Sequence, residues 1–586
     1  MRLEQRSPSD GHDLGPAASG RRWAAPCAAA RATWLCLWLL VAQLVACAPS
    51  LLAAPARPVP LWEDPDRRLF RGPPAKYHSG KYTDIVDQVA LRPLARAFAV
   101  DPGAEASNLN TLDEVADSSW FTNRIGRHGL TPEQVAIGPC TMPPLETAHV
   151  WTVVGAKSDG VSPGFVVRAA DGARYLLKFD RVDQGPRSTA ADAIASRLFY
   201  AAGYGAPCNR VVFFERGQLV VGEGARGTDW LGDEHPYTAA ELDRSLASVP
   251  RTRDGRYRAL ASLWLAGKSI GPFRFEGTRP DDPNDIVDHQ DRRELRALRL
   301  LAAWMGHGDA REQNTLDSWI DAGNGFGWVR HSLLDFGDCF GNLSAPTLLA
   351  RRLAGHAYGV DLGQIVGDWL TFGAISRPFE AERFGSSGPV FGYFNVERFD
   401  PELWRPSYPN PAFQRMTERD AAWMARILAR FTPAHLQRVI RVGRLGSAAL
   451  RAELLRLLLG RRERILRRYL SPLSSLAVPI EVLDGGRAEW CAEDLGVLAG
   501  IADAASTTYE AAWTFAGSDP IRLPVRVDGA RACLELPAQA PASASLDERV
   551  LEWRAVRAQG PREGQLRIHF VWRSGSYEVA ALERTP

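Results

Sequence analysis

The sequence HGDAREQN, residues 307–314, is followed after a turn-rich insertion by LLDFG, residues 333–337. These two stretches place Asp309, Asn314 and Asp335 in a fixed order along the chain. All three side chains carry oxygen atoms, and the second aspartate follows an apolar run that is typical of a buried strand. The pattern therefore predicts two polar loops that serve one site.

The residues around these two stretches predict the elements that hold the loops. Apolar residues recur at helical spacing over 291–305, and Gly306 follows as a helix end, so Asp309 is expected in the loop just beyond. Residues 319–329 contain Asn324-Gly325, a hairpin signal, and lead into the strand before Asp335. A helix followed by a polar loop, a hairpin and a second polar loop is the predicted order.

The pattern H-x-D-x-x-x-x-N followed by D-F-G resembles the catalytic and metal-binding segments of the protein-kinase-like superfamily. The resemblance implies ATP and Mg²⁺ as cofactors, and Asp309 as the catalytic base that orients the acceptor hydroxyl and takes its proton. It implies Asn314 and Asp335 as metal ligands, because Mg²⁺ prefers amide and carboxylate oxygens. The resemblance covers residues 150–345. It is closer to HipA-type kinases and secreted casein-kinase-type enzymes than to ordinary kinases. A ligand-free loop shaped by Asp309 and Asn314 is the alternative.

A glycine-bearing loop between two predicted strands lies earlier in the chain. It contains Gly155, Gly160 and Gly164, and a hairpin signal, Asp171-Gly172, follows it. By the resemblance, the three glycines let backbone N–H groups approach nucleotide phosphates. The G-x-G-x-x-G spacing is absent, so a loop between edge strands without a ligand is an equal alternative.

Lys178 lies inside the apolar strand predicted over 174–179. An unpaired ammonium is costly to bury, so Lys178 meets an anion or reaches solvent at the strand edge. The resemblance assigns it to the α- and β-phosphates of ATP. It also requires a helix acid to hold the lysine, and Asp192, on a helix predicted over 190–202, is the available carboxylate. The alternative role of Asp192 is in a capping box with Thr189.

Composition and the N-terminus bound the class of protein and its location. The chain has 586 residues, is 45% hydrophobic and 24% charged, and has a net charge of only +2, so nothing indicates nucleic-acid binding. Arginines precede an apolar run, residues 34–46, that is short for a membrane span. The run ends in Leu-Val-Ala-Cys47, which resembles a bacterial lipobox and predicts an exported protein, lipid-anchored through Cys47. Cleavage near residues 53–56, which gives a secreted soluble protein, and retention of the run as an anchor are the alternatives.

Five cysteines follow Cys47, with no metal-binding spacing among them. An exported chain permits disulfides, and Cys491 with Cys533 is the expected pair. Because five is an odd number, at least one cysteine keeps a free thiol. Cys339 is expected to be a small buried residue.

The resulting fold prediction is α+β: a bilobal kinase-like core, with a small β-rich lobe and a helical lobe, followed by a β-sandwich-like domain. The predicted divisions are a signal peptide with lipobox (1–47), a linker (48–70), an N-terminal extension (71–148), an N-lobe (149–216), a C-lobe with a long polar insertion at 217–290 (217–478) and a C-terminal β domain (479–586).

Two functions follow from the resemblance. The first is an atypical kinase, a phosphotransferase in the bacterial envelope or outside the cell that binds a nucleotide and acts on a protein or small-molecule hydroxyl. The second is a catalytically inactive pseudokinase-like binding module, or a structural envelope lipoprotein. Gly308 stands where the family usually has arginine, and no A-P-E follows Gly337. The presence of Asp309, Asn314, Asp335 and Lys178 favours the first function, whereas the scarcity of ATP outside the cytoplasm favours the second.

Overall fold

The computed structural model describes residues 63–78, 86–87, 91–92, 103–156, 164–228, 233–341, 347–484, 487–515, 518–537, 549–558, 563–573 and 575–586. The chain divides into two units, and these residues all belong to the second, Pro58–Pro586. This unit combines helices with several sheets, so the α+β class is confirmed.

The secondary structure has the following bounds. The helices are α1 (Arg124–His128), α2 (Pro132–Ile137), α3 (Arg187–Ala202), α4 (Ala239–Ala247), α5 (Arg293–Met305), α6 (Thr347–Arg352), α7 (Leu362–Leu370), α8 (Pro411–Gln414), α9 (Glu418–Ala429), α10 (Pro433–Val442), α11 (Ala448–Tyr469) and α12 (Leu495–Leu498). The strands are β1 (Phe70–Arg71), β2 (Trp151–Ala156), β3 (Gly164–Arg168), β4 (Arg174–Phe179), β5 (Asn209–Phe214), β6 (Leu219–Thr228), β7 (Glu234–Pro236), β8 (Tyr257–Leu263), β9 (Lys268–Ser269), β10 (Thr315–Gly323), β11 (Phe326–Leu333), β12 (Ile480–Asp484), β13 (Arg487–Glu493), β14 (Thr507–Phe515), β15 (Ile521–Arg522), β16 (Arg526–Asp528), β17 (Arg531–Leu534), β18 (Arg549–Arg557), β19 (Gln565–Arg573) and β20 (Ser576–Thr585).

A seven-stranded sheet holds the strand of Lys178 near its centre. Its order is β5-β8-β4-β3-β2-β6-β7, and β4 has the bounds that the sequence predicts. Strands β6 and β8 come from residues 217–290, so the interpretation of that stretch as a polar insertion was wrong. The sequence gives a weak strand signal there, because glycines interrupt β6 and the alternation of β8 is broken by three consecutive buried residues.

The helical region shares one hydrophobic core, to which α3, α5, α9, α10 and α11 all contribute. Helix α5 is confirmed, and its apolar residues Leu295, Leu298 and Met305 are buried. It ends at Gly306, whose φ of 66° is left-handed, a conformation that glycine adopts at little cost. The chain therefore leaves the core abruptly and enters the loop of Asp309.

The N-terminal extension packs on the rest of this unit through aromatic side chains. Trp120 stacks on His331 with ring centroids 3.4 Å apart. Phe121 is 1% exposed and contacts Tyr204 and Trp423. None of the helices in the ranges described above is long and apolar enough to cross a membrane.

The C-terminal strands form two antiparallel sheets, β12-β13-β17-β16 and β15-β14-β18-β19-β20. Trp490 from the first sheet and Trp553 from the second lie in the same hydrophobic cluster, so the two sheets share a core. The predicted bridge between Cys491 and Cys533 is confirmed and joins β13 to β17.

A second bridge, Cys140–Cys208, was not predicted, because 68 residues separate its cysteines. Cys339 is the free cysteine of the described chain and is buried, as expected.

Candidate active site

A β-hairpin brings the two predicted polar loops together. Strand β10 begins at Thr315, directly after Asn314, and β11 ends at Leu333, two residues before Asp335. Thr315 is paired with Leu333, and the Leu334 N–H donates to the Asn314 carbonyl at 2.8 Å. The hairpin turns at the predicted Asn324-Gly325. The two ends of the insertion are therefore adjacent, although the insertion is long.

Lys178 connects the seven-stranded sheet to the second loop. Its Nζ lies 2.7 Å from Asp335 Oδ1 and 3.0 Å from Asp192 Oδ2. Burial disfavours the ammonium, but the attraction of Asp192 and Asp335 outweighs it and raises the pKa of Lys178. Lys178 is therefore a charged group, only 15% exposed, that meets two carboxylates as the first of the two expectations requires.

Asp192 holds the lysine and the second loop at the same time. Its Oδ1 accepts hydrogen bonds from the Phe336 N–H at 2.9 Å and from Asn209 Nδ2 at 3.0 Å. Burial raises its pKa, and Lys178 opposes that shift.

The capping-box alternative for Asp192 was wrong. Helix α3 begins at Arg187, three residues before the predicted start, and Thr189 bonds to Asp180 instead. Asp192 is therefore inside the helix, where its side chain points to the lysine and not to its own backbone.

Asp309 is oriented by its own loop. Asn314 Nδ2 donates to the Asp309 carbonyl and to its Oδ2, at 2.8 and 2.9 Å. Arg311 Nε lies 2.8 Å from the other carboxylate oxygen. Withdrawal from water, together with the nearby charge of Asp338, raises the pKa of Asp309 to about 6 against the pull of Arg311. A carboxylate with such a pKa is suited to accept a proton near neutral pH.

Asp338 fastens the two loops, and the sequence did not identify it. One carboxylate oxygen accepts from His307 Nδ1 at 2.5 Å, and the other accepts from the Asp309 N–H at 2.8 Å. Although burial disfavours the imidazolium, the attraction of Asp338 raises the pKa of His307, which favours the charged form of the histidine beside this carboxylate. The available signals were a carboxylate directly after the DFG motif and the histidine of the H-x-D pattern, but the sequence contains nothing that pairs them.

The backbone at Asp335 is unusual for a residue with a side chain. Its φ is 54°, in the left-handed region, which aspartate tolerates better than most residues. The next residue, Phe336, is fully buried and stacks on Phe199 with centroids 4.7 Å apart. Burial of Phe336 and its bond to Asp192 keep the Asp335 carboxylate turned toward Lys178.

The predicted glycines are in different settings. Gly155 is not in a loop: it lies within β2 at a bulge, where an added Cβ would be 3.2 Å from the Arg226 carbonyl. Gly164 begins β3 and is paired with Lys178. Gly160 and the predicted lipidation residue Cys47 lie outside the described residues.

The donor and acceptor set suits a nucleotide with a hard cation. An ammonium has three N–H donors, and the described contacts of Lys178 use two. Asn314 uses its amide nitrogen for Asp309, so its amide oxygen takes no part in that contact. Asp335 is 44% exposed at its side chain. An amide oxygen, a carboxylate and a lysine are the kinds of group that bind magnesium and phosphate.

The large cavities lie elsewhere. One of about 810 Å³ runs between α9 and β13 and contains none of the predicted site residues. The site is therefore defined by its charges and hydrogen bonds. No family model, curated protein or solved structure matches the chain.

Proposed function

We propose that the protein is an ATP- and Mg²⁺-dependent phosphotransferase of the atypical kinase-like type. One observation supports this most: Lys178 lies between Asp192 and Asp335, beside the loop that orients Asp309. In this proposal the seven-stranded sheet is the small lobe and the α5-containing region is the large lobe. The acceptor is a hydroxyl group of a protein or small molecule.

Each residue has one task in the proposed reaction. Lys178 holds the phosphates of ATP, and Asn314 with Asp335 would hold Mg²⁺, which neutralises phosphate charge. Asp309 aligns the acceptor hydroxyl and takes its proton as the oxygen bonds to the γ-phosphorus. The bond from that phosphorus to the bridging oxygen breaks, and ADP leaves with the electron pair.

The proposed location is the bacterial envelope, through a lipid on Cys47, with a secreted soluble form as the alternative. The two disulfides support a compartment outside the cytoplasm, where such bonds persist.

A second function is favoured by one contact. Arg311 lies 2.8 Å from Asp309, and an ion-paired carboxylate is a poorer base. If Arg311 stays there in the nucleotide complex, the protein would bind nucleotide without turnover, as a pseudokinase-like module.

Thermal unfolding with ATP and Mg²⁺, combined with a phosphate-release assay, tests both. When the ligand concentration is a hundredfold above Kd, binding stabilises the folded state by about 2.7 kcal/mol. If the protein is a phosphotransferase, we expect this stabilisation together with phosphate release, and Asp309→Asn should abolish the phosphate release. Asp335→Asn should remove the magnesium dependence of the stabilisation. The exposed Asp519→Asn is the matched control and is expected to change neither. A shift without turnover supports the binding module, and no shift contradicts both functions.

A further inference from the structure

Helix α7, which lies 25 residues beyond Gly337, turns its apolar face to solvent. Trp369 is 76% exposed, and Ile365, Val366 and Leu370 on the same side are at least half exposed. The spacing of these four residues is that of a helix stripe which normally packs on a core.

The opposite side of α7 carries the polar contacts that attach the helix to the protein. Arg377 donates to the Asp368 carboxylate and to the Gln364 carbonyl, at 2.5 and 3.3 Å. Asp361 caps the helix and lies 3.3 Å from Arg405. The helix therefore turns its apolar side to water, and the contacts that attach it are polar and partly exposed, since the Asp368 side chain is itself 50% exposed.

The apolar surface continues into the turn after the helix. Phe372 is 98% exposed and has a φ of 51°, and Ile375 is 40% exposed. Trp369 and Phe372 alone leave on the order of 300 Å² of aromatic surface in water, which already equals a large patch for a whole monomer. An almost fully exposed phenylalanine at a turn is a protrusion, and protrusions insert into a soft medium more readily than they line a pocket.

The charges around the patch are balanced. Residues 347–383 contain four arginines, two aspartates and two glutamates, and none of them belongs to the apolar stripe. The segment therefore has no net positive charge to attract an anionic partner, and the patch is suited to association through apolar surface alone.

We propose that the outward face of α7 with its following turn, through Ile375, inserts into the interfacial region of a lipid bilayer. A short helix with tryptophan and phenylalanine on its apolar side is typical of segments that lie in the membrane plane. The lipid anchor proposed at Cys47 is separated by 16 residues from Glu63, a reach of up to about 50 Å. A unit of this size has a radius of gyration of about 24 Å, so the tether leaves α7 free to reach the same membrane.

The test uses the full chain reconstituted into phosphatidylcholine vesicles. An environment-sensitive fluorescent amino acid replaces Phe372 in one protein and Leu483, which is 78% exposed in the C-terminal domain, in another. Lipids brominated on their acyl chains quench a probe that enters the bilayer. The expected result is an about twofold or greater loss of fluorescence at position 372 and none at position 483. Adding phosphatidylglycerol is expected to change neither value.

A second variant controls for folding. Trp369→Ser with Phe372→Ser removes exposed groups, so the melting temperature is expected to stay the same, and a probe at Ile375 is expected to lose its quenching. Equal quenching of the probes at positions 372 and 483 by the brominated lipids would overturn the proposal. So would a spectral shift at 372 that needs no lipid and grows with protein concentration, since it would identify a second copy as the occupant. A shift that needs added envelope protein would overturn it as well.

Discussion

Lys178 is the residue whose loss should affect the site most. Its side chain is 15% exposed, and it neutralises Asp192, which is 2% exposed. Lys178→Met leaves two carboxylates together without their cation, and breaking a buried pair in this way costs about 3–5 kcal/mol. The free energy of unfolding in urea should fall by that order, and the stabilisation by ATP and Mg²⁺ should disappear.

Lys268→Met is the matched control, because Lys268 is exposed in β9. It should leave both measurements unchanged. An Lys178→Met protein as stable as the wild type would show that the ammonium is not required to hold Asp192 and Asp335 together.

The raised pKa of Asp309 predicts a pH dependence of stability. The folded state holds the Asp309 proton up to a pKa of about 6, whereas the unfolded chain releases it near the ordinary value of 3.8. Between these values the folded state binds more protons, so this residue's contribution to stability falls as pH rises. Asp309→Asn removes that contribution. The variant should gain stability relative to the wild type between pH 4.5 and pH 7.5, on the order of 1 kcal/mol.

Urea unfolding of both proteins at the two pH values measures the difference. If the stability of Asp309→Asn relative to wild type is the same at both, Asp309 is an ordinary ionised carboxylate. Its proposed role as a proton acceptor near neutral pH would then lose its physical support.

At the scale of elements, the site depends on how the β10–β11 hairpin and helix α5 deliver two loops to one place. The hairpin places Asn314 beside Leu334, and Asp338 then bonds to both His307 and the Asp309 N–H. The loops are thus held by backbone pairing on one side and by one carboxylate on the other.

Asp338→Ala should separate binding from turnover. The variant keeps Lys178, Asn314 and Asp335, so the stabilisation by ATP and Mg²⁺ should remain. Loss of the Asp338 bond frees the Asp309 backbone, and misplacement of a catalytic group lowers kcat by about a hundredfold with little change in KM. Asp338→Asn keeps an acceptor oxygen and should recover part of kcat. An equal loss in both variants would indicate that charge, and not position, is what Asp338 supplies.

At the scale of the whole molecule, two bridges tie distant segments together. Cys140–Cys208 joins the N-terminal extension to the segment before β5, and Cys491–Cys533 staples one sheet of the C-terminal domain. Closing loops of this length stabilises a protein by about 2–4 kcal/mol per bridge. Reductant should lower the free energy of unfolding by that amount for each bridge.

A variant with all four of these cysteines replaced by alanine is the control for that experiment. Reductant should not change its stability, because Cys339 is buried and unbridged. Wild-type stability that is insensitive to reductant would show that the bridges add nothing to the fold.

The sequence by itself determined the features that local chemistry controls. These are the bounds of β4, the end of α5 at Gly306, the hairpin turn at Asn324-Gly325 and the α+β class, because periodicity and glycine conformation leave a short-range signal. The predicted pairing of Cys491 with Cys533 is also confirmed. The sequence also predicted Lys178, Asp309, Asn314 and Asp335 as residues of one site, and the structure pairs Lys178 with Asp335 and Asn314 with Asp309.

Only the tertiary structure decided which partners these residues have. Asp192 had two consistent roles in the sequence, and the choice depended on where α3 begins and on Phe336, which is 144 positions away along the chain. The placement of β6 and β8 in the first sheet, the role of Asp338 and the outward face of α7 were likewise absent from the pattern. Hydrophobic periodicity shows that a segment has an apolar face, but which surface covers that face depends on contacts between segments far apart in the chain.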